Sequence, residues 1–128
     1  MNRTMCNIIF IGLGSMAGGI MRFLVTKIVK DINTSAFSWG TLIVNIAGCL
    51  ILGLIYGLFA RGWQVSENLR LLLTVGFCGG FTTFSTFMND NYLLISTSQT
   101  MLFLTYLLIS ILGGYIALFG GYYITRLL

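Results

Sequence analysis

The chain has 128 residues, of which 57% are hydrophobic and 8% charged, with seven Lys and Arg, three Asp and Glu and no His. Roughly a quarter of the residues in ordinary globular domains are charged, so this composition leaves too little polar surface to coat a water-soluble domain. A net charge of +4 does not read as a nucleic-acid patch either, because the basic residues are scattered singly, mostly at the ends of apolar runs. Without His and with so few acids, Cys/His metal sites and His-based catalysis fall away, and the chain reads as no enzyme. The bilayer is its first partner.

The first apolar run extends from about Met5 to Val29, with Arg3 before it and Lys27 and Lys30 at its far end. It has the outline of a signal peptide, but three more runs follow, so it reads as the first of four spans. Gly12-Leu13-Gly14-Ser15-Met16-Ala17 fits a bare dinucleotide-binding pattern, with Asp31 beyond it. That loop must follow a strand in a βαβ unit, and none is present.

Span two covers Trp39 to Ala60, opened by an aromatic at headgroup level and closed by Arg61 and Trp63. Span three covers about Leu69 to Ile95, and span four about Met101 to Ile124, closed by Arg126. The chain is therefore expected to be an all-α membrane protein forming a single four-helix domain over residues 1–128, with short connections that make the helices neighbours. Cys6, Cys49 and Cys78 are odd in number and lie inside apolar runs, so no disulfide framework is expected.

Glycine is frequent, at 16 residues, and proline is absent, so any break in a span is expected at glycine. Gly14 with Gly18, Gly53 with Gly57, and Gly76 with Gly80 are each four apart, which places each pair on one helix face and suits close helix packing.

If four helices cross, one side collects Arg3, Arg61, Arg70 and Arg126, and the other Arg22, Lys27 and Lys30. Orientation follows the Lys/Arg bias between sides, and here there is almost none. Such a chain is expected to insert both ways up, and an antiparallel homodimer is the natural assembly for a unit too thin to enclose a pore.

The chemistry concentrates in Gly76-Phe77-Cys78-Gly79-Gly80-Phe81-Thr82-Thr83-Phe84-Ser85-Thr86-Phe87, in the middle of span three. Adjacent glycines followed by hydroxyl residues make a poor uninterrupted helix, so a break is expected there. It would free carbonyls able to bind a hard cation such as Na⁺. Phe84 and Phe87 are three apart and share a face of the resumed helix, with Ser85 beside them; plain packing is the competing account of the rings. Asn45 lies about 9 Å along span two from Trp39, an amide in need of partners, with Thr41 one turn before it. Span four presents Tyr106 and Ser110 in a similar way.

This inventory is one of neutral donors and aromatic edges. A ring edge carries partial positive charge, and neutral dipoles can replace the water of a small anion without trapping it. Arg22, about 7.5 Å of helix rise before Lys27, is either an interfacial anchor or a charge that draws anions to the mouth.

Over essentially its whole length the sequence resembles the Fluc, or CrcB, family of fluoride channels. The resemblance rests on Gly18-Gly19 with Arg22-Phe23, on Gly40-Thr41-Leu42 with Val44-Asn45 and Gly48, on the run Gly76 to Phe87, and on the four-span layout. It implies a dual-topology antiparallel homodimer with two fluoride pathways and a central structural Na⁺ held by the carbonyls of Gly79 and Thr82 from both subunits. It further implies that Asn45 is a pore amide, Phe84 and Phe87 line fluoride positions, Thr41, Ser85, Tyr106 and Ser110 are supporting donors, and Arg22 is a vestibule charge. Passive fluoride export across a bacterial inner membrane, protecting fluoride-sensitive enzymes, would be the activity. Asp90 stands where the family has Glu, and Gly114 where a second serine would follow Ser110.

A small dual-topology, proton-coupled drug transporter is the alternative; it needs an intramembrane carboxylate, and Asp90 is the only acid inside a span. Thr74-Val75-Gly76-Phe77-Cys78-Gly79 also approximates a potassium-filter signature, with Cys78 in the place of its second glycine.

Overall fold

A computed structural model describes residues 1–128. The chain is all-helical, with four helices long and apolar enough to cross a membrane. They are α1 (Arg3–Ile32), α2 (Trp39–Ala60), an interrupted third span, and α6 (Thr100–Leu127). The third span comprises α3 (Glu67–Leu71), a π-helical stretch Leu72–Cys78, the single turn α4 (Gly79–Phe81), and α5 (Phe84–Ser96).

Local chemistry sets several helix ends. Asn2 caps α1 by accepting from the Thr4 amide at 3.2 Å, and Ser66 caps α3 by accepting from the Leu69 amide at 3.2 Å. At the end of α2, the Gly62 amide donates to Phe59 O and the Trp63 amide to Leu58 O, the double bond of a Schellman motif. Gly62 sits at φ +104° there, in the left-handed region that glycine enters without strain.

Only 18 of 128 residues are buried within the chain, so its large apolar side chains mostly face outward, as lipid contact requires. The interior is built instead from backbone approach. A methyl at Gly14 or Gly18 would strike the carbonyls of Leu72 or Phe77, and one at Gly80 would lie 2.6 Å from the Ser15 carbonyl. In the second packed pair, Gly53 and Gly57 of α2 admit the Leu118 and Tyr122 carbonyls of α6. The glycine pairs are thus packing surfaces, as their spacing suggests.

The break falls elsewhere than at glycine. Gly79 and Gly80 are helical, whereas Thr82 (φ −83°, ψ 158°) and Thr83 (φ −149°, ψ 118°) are extended. The physical reason is that Gly76 and Gly80 press against α1, where only an unbroken helical backbone can seat so closely. The break is displaced to the first residues beyond that contact.

It also redirects the third span. Before the break the span packs against α1; after it, α5 packs chiefly against α6. The helices are therefore not simple sequential neighbours, because two halves of one span serve two different partners.

Candidate functional site

Breaking a helix at membrane depth frees backbone groups, each of which costs several kcal/mol if left unpaired in hydrocarbon. Two side chains from neighbouring helices meet that demand. Asn45 of α2 accepts from the Thr83 amide through Oδ1 at 2.8 Å and donates through Nδ2 to the Thr83 carbonyl at 3.1 Å. Its carboxamide thus replaces a peptide neighbour. From α1, Arg22 Nε donates to the Gly80 carbonyl at 3.1 Å, a charge-assisted bond on the turn just before the break.

The hydroxyls complete the turn. Thr82 Oγ1 donates to Cys78 O at 2.9 Å, and Thr83 Oγ1 caps α5 by accepting from the Thr86 amide at 3.3 Å while donating to Thr86 Oγ1 at 3.1 Å. Gly48 makes room for this arrangement, since a methyl there would strike Thr82 Cγ2. Among backbone bonds outside the regular helices, none ends on the carbonyl of Gly79 or Thr82.

Two cavities lie along this part of the bundle. One, of about 320 Å³, lies beside the break and is lined by Asn45, Cys49, Gly79, Thr82, Thr83 and Phe84 among others. The second, also about 320 Å³, lies toward the end of the bundle formed by the α1–α2 connection, and includes Lys30, Ser35, Thr41, Thr86 and Asp90. Thr86 of the second cavity bonds Thr83 of the first, so one hydroxyl bond links the cavity at the bundle end to the cavity at the break.

The aromatic residues divide. Phe84 is 73% exposed and Phe87 7% exposed, with ring centroids 6.2 Å apart. Ser85 is exposed beside Phe84, on the outer flank of the break. Phe87 instead packs inward against Tyr106 in a tilted pair at 5.2 Å, and Phe37 meets Tyr106 edge-on at 5.2 Å. Tyr106 is wholly enclosed and donates its hydroxyl to Asp90 Oδ2 at 3.0 Å.

Ser110 lies apart from this group. Its hydroxyl is buried without a partner, and it faces a third cavity of about 330 Å³ between α2 and α6 with Cys49, Gly114 and Tyr115. Within one chain, then, Asn45, Thr82, Thr83, Phe84 and Ser85 gather at the break, Thr41 with Asp90 lines the outer cavity, and Ser110 occupies a separate groove. Arg22 bonds the Gly80 carbonyl, on the turn just before the break.

Sequence reasoning passed over Thr83 and Thr86 as individuals. A Thr immediately before a resumed apolar helix is a helix-start signal, and that signal marks Thr83 as the cap. The cysteines are all free, and no group of three metal-ligating His, Cys, Asp or Glu side chains exists.

The chain matches the family model described as CrcB-like protein, Camphor Resistance (CrcB), over residues 9–122. Among its relatives, the fluoride-specific ion channel FluC of Phocaeicola vulgatus is 37% identical over 95% of this chain and 100% of its own length. The protein of the same name from Bacteroides fragilis is 43% identical over 94% of this chain and 96% of its own. That from Chlorobium phaeobacteroides is 42% identical over 94% and 93%. These relatives are channels and not enzymes. With four spanning helices and matches along nearly its whole length, the chain belongs to the CrcB family of multi-pass membrane proteins.

Proposed function

We propose that this protein is a fluoride-selective channel that lets fluoride leave the cytoplasm down its gradient. The observation that carries the reading is the broken third span, held by the neutral amide of Asn45 and flanked by an exposed phenylalanine; the names of its relatives point the same way.

A small anion needs its water replaced by dipoles that bind without trapping it. The Asn45 amide nitrogen carries two hydrogens; one is spent on the Thr83 carbonyl and the other is free for an anion. The edge of exposed Phe84 supplies partial positive charge, with Phe87 behind it and Ser85 as a hydroxyl donor alongside. Thr41 serves the outer cavity, Tyr106 acts there by holding Asp90 with its one hydroxyl proton, and the unpartnered Ser110 hydroxyl is a donor in the separate α2–α6 groove. Arg22 acts by holding the Gly80 carbonyl and by adding positive potential near the break.

In one chain the flank carrying Phe84 and the nearby cavity is open, and the Lys/Arg bias is nearly balanced. Both features support an antiparallel homodimer inserted in dual topology, with a second copy covering that flank.

A Na⁺ ion suits the same place. The carbonyls of Gly79 and Thr82 are hard oxygen donors, and open space surrounds Gly79 where a methyl would meet nothing within 4 Å. Two oxygens from each of two copies would hold the ion, which would neutralise the negative end of the interrupted helices. The drug-transporter alternative needs a carboxylate free to cycle protons, whereas Asp90 is engaged by Tyr106.

Purified protein in liposomes, followed with fluoride and chloride electrodes in parallel, tests the proposal. Fast fluoride release with little chloride release is the expected result. Folded protein that releases neither ion would refute it.

A further inference from the structure

The cavity at the α1–α2 end of the bundle contains one feature that the transport path described above does not use. Lys30 lies on its wall, in the last turn of α1. The only ion pair in the chain joins Arg3 to Glu67, so the Lys30 ammonium is unpaired, and it is exposed. The one other charged group lining this cavity is Asp90, whose carboxylate accepts from the buried Tyr106.

We infer that Lys30 is the electrostatic collector of this cavity: it offsets the Asp90 carboxylate and raises the local concentration of the anion that reaches Thr86 and the break. The inference rests on the fluoride reading. Two observations and one physical rule support it. The cavity is polar and opens where the chain leaves α1 at Asn33 and Ser35. Its inner end, Thr86, is bonded to Thr83 and through it to Asn45. A concave site with low-dielectric walls focuses a charge at its rim more strongly than a flat surface does.

Without Lys30 the cavity carries a lone carboxylate and repels anions. By Coulomb's law in water, a unit charge about 6 Å from an anion changes its local concentration by roughly threefold. Lys27, three residues earlier, does not line the cavity, yet its removal changes the Lys/Arg bias between membrane sides by the same amount. It is the matched control for insertion effects and for general surface charge.

The experiment compares fluoride efflux from liposomes bearing the full-length protein, Lys30→Gln, Lys30→Arg and Lys27→Gln, at ionic strengths of about 0.01 M and about 1 M, where screening lengths are about 30 Å and 3 Å. At low ionic strength, Lys30→Gln should release fluoride about threefold more slowly than the unmodified protein, while Lys30→Arg and Lys27→Gln match it. At high ionic strength all four should converge. Equal rates for Lys30→Gln and the unmodified protein at low ionic strength overturn the inference, as does an equal slowing in Lys27→Gln. An unmodified protein that releases no fluoride overturns the fluoride reading and this inference together.

Discussion

Replacing Asn45 by Asp changes one atom type at the break and separates two roles of the side chain. The remaining oxygen still accepts from the Thr83 amide, now as a carboxylate, at the site of a 2.8 Å bond. The donor to the Thr83 carbonyl, 3.1 Å away, is lost, and an oxygen faces that carbonyl instead. Leaving one buried acceptor unpaired costs about 1–3 kcal/mol. The larger effect falls on the ion. A carboxylate oxygen about 3 Å from a fluoride, in the place of the amide donor, costs about 5.5 kcal/mol at an effective dielectric of about 20, which is roughly a ten-thousandfold loss of rate.

Asn45→Ala is the complement. It adds no charge but orphans both the amide and the carbonyl of Thr83, a loss of about 2–6 kcal/mol. Denaturant titration of the detergent-solubilised protein, followed by the fluorescence of Trp39 and Trp63, should therefore show both variants destabilised, Asn45→Ala by two orphaned backbone groups and Asn45→Asp by one orphan and a part-buried carboxylate facing it. Electrode-measured efflux from Asn45→Asp should fall roughly ten-thousandfold, to the background leak. Asn45→Asp flux within about twofold of the unmodified protein would remove Asn45 from the ion path. Asn45→Ala with unchanged stability would refute its role as the clamp of the break.

Other perturbations probe separate parts of the same design. Arg22→Met removes the charge-assisted bond to the Gly80 carbonyl, and the unfolding midpoint should fall by the equivalent of about 1.5–3 kcal/mol. Lys at this position keeps the charge but not the planar fork and should rescue only in part. Gly18→Ala drives a methyl into the Phe77 carbonyl and should yield aggregated protein on size exclusion, whereas Gly12→Ala, which meets nothing within 4 Å, should be monodisperse. Ser110→Ala removes a buried hydroxyl that has no partner in the chain, so stability should change by less than about 1 kcal/mol; slower fluoride efflux would then assign the hydroxyl to the ion, and unchanged efflux would exclude it.

Much of the architecture is legible in composition and run length, because a bilayer imposes the same demand on every chain that crosses it. Four long apolar runs, single basic residues at their ends and glycines spaced four apart specify four helices that approach closely. The run Gly76 to Phe87 is also conspicuous as a poor helix, and Asn45 as an amide out of place in an apolar span. What local propensity misjudges is which residues break. Glycine is the weaker helix former, but Gly76 and Gly80 are held helical by the α1 backbone against them, and the break moves to Thr82 and Thr83.

The partners of the polar groups belong to the tertiary structure alone. Asn45 finds Thr83 across 38 positions of sequence, and Arg22 finds Gly80 across 58. Neither spacing follows from helical periodicity, because each depends on how far one helix slides along another before its glycines seat. The same packing decides that α1 holds the first half of the third span and α6 the second. By itself the sequence determined that a polar, broken segment must lie inside a membrane; the packed helices decided which atoms make that break tolerable, since backbone groups freed in hydrocarbon must be paired by whatever neighbour the fold brings within reach.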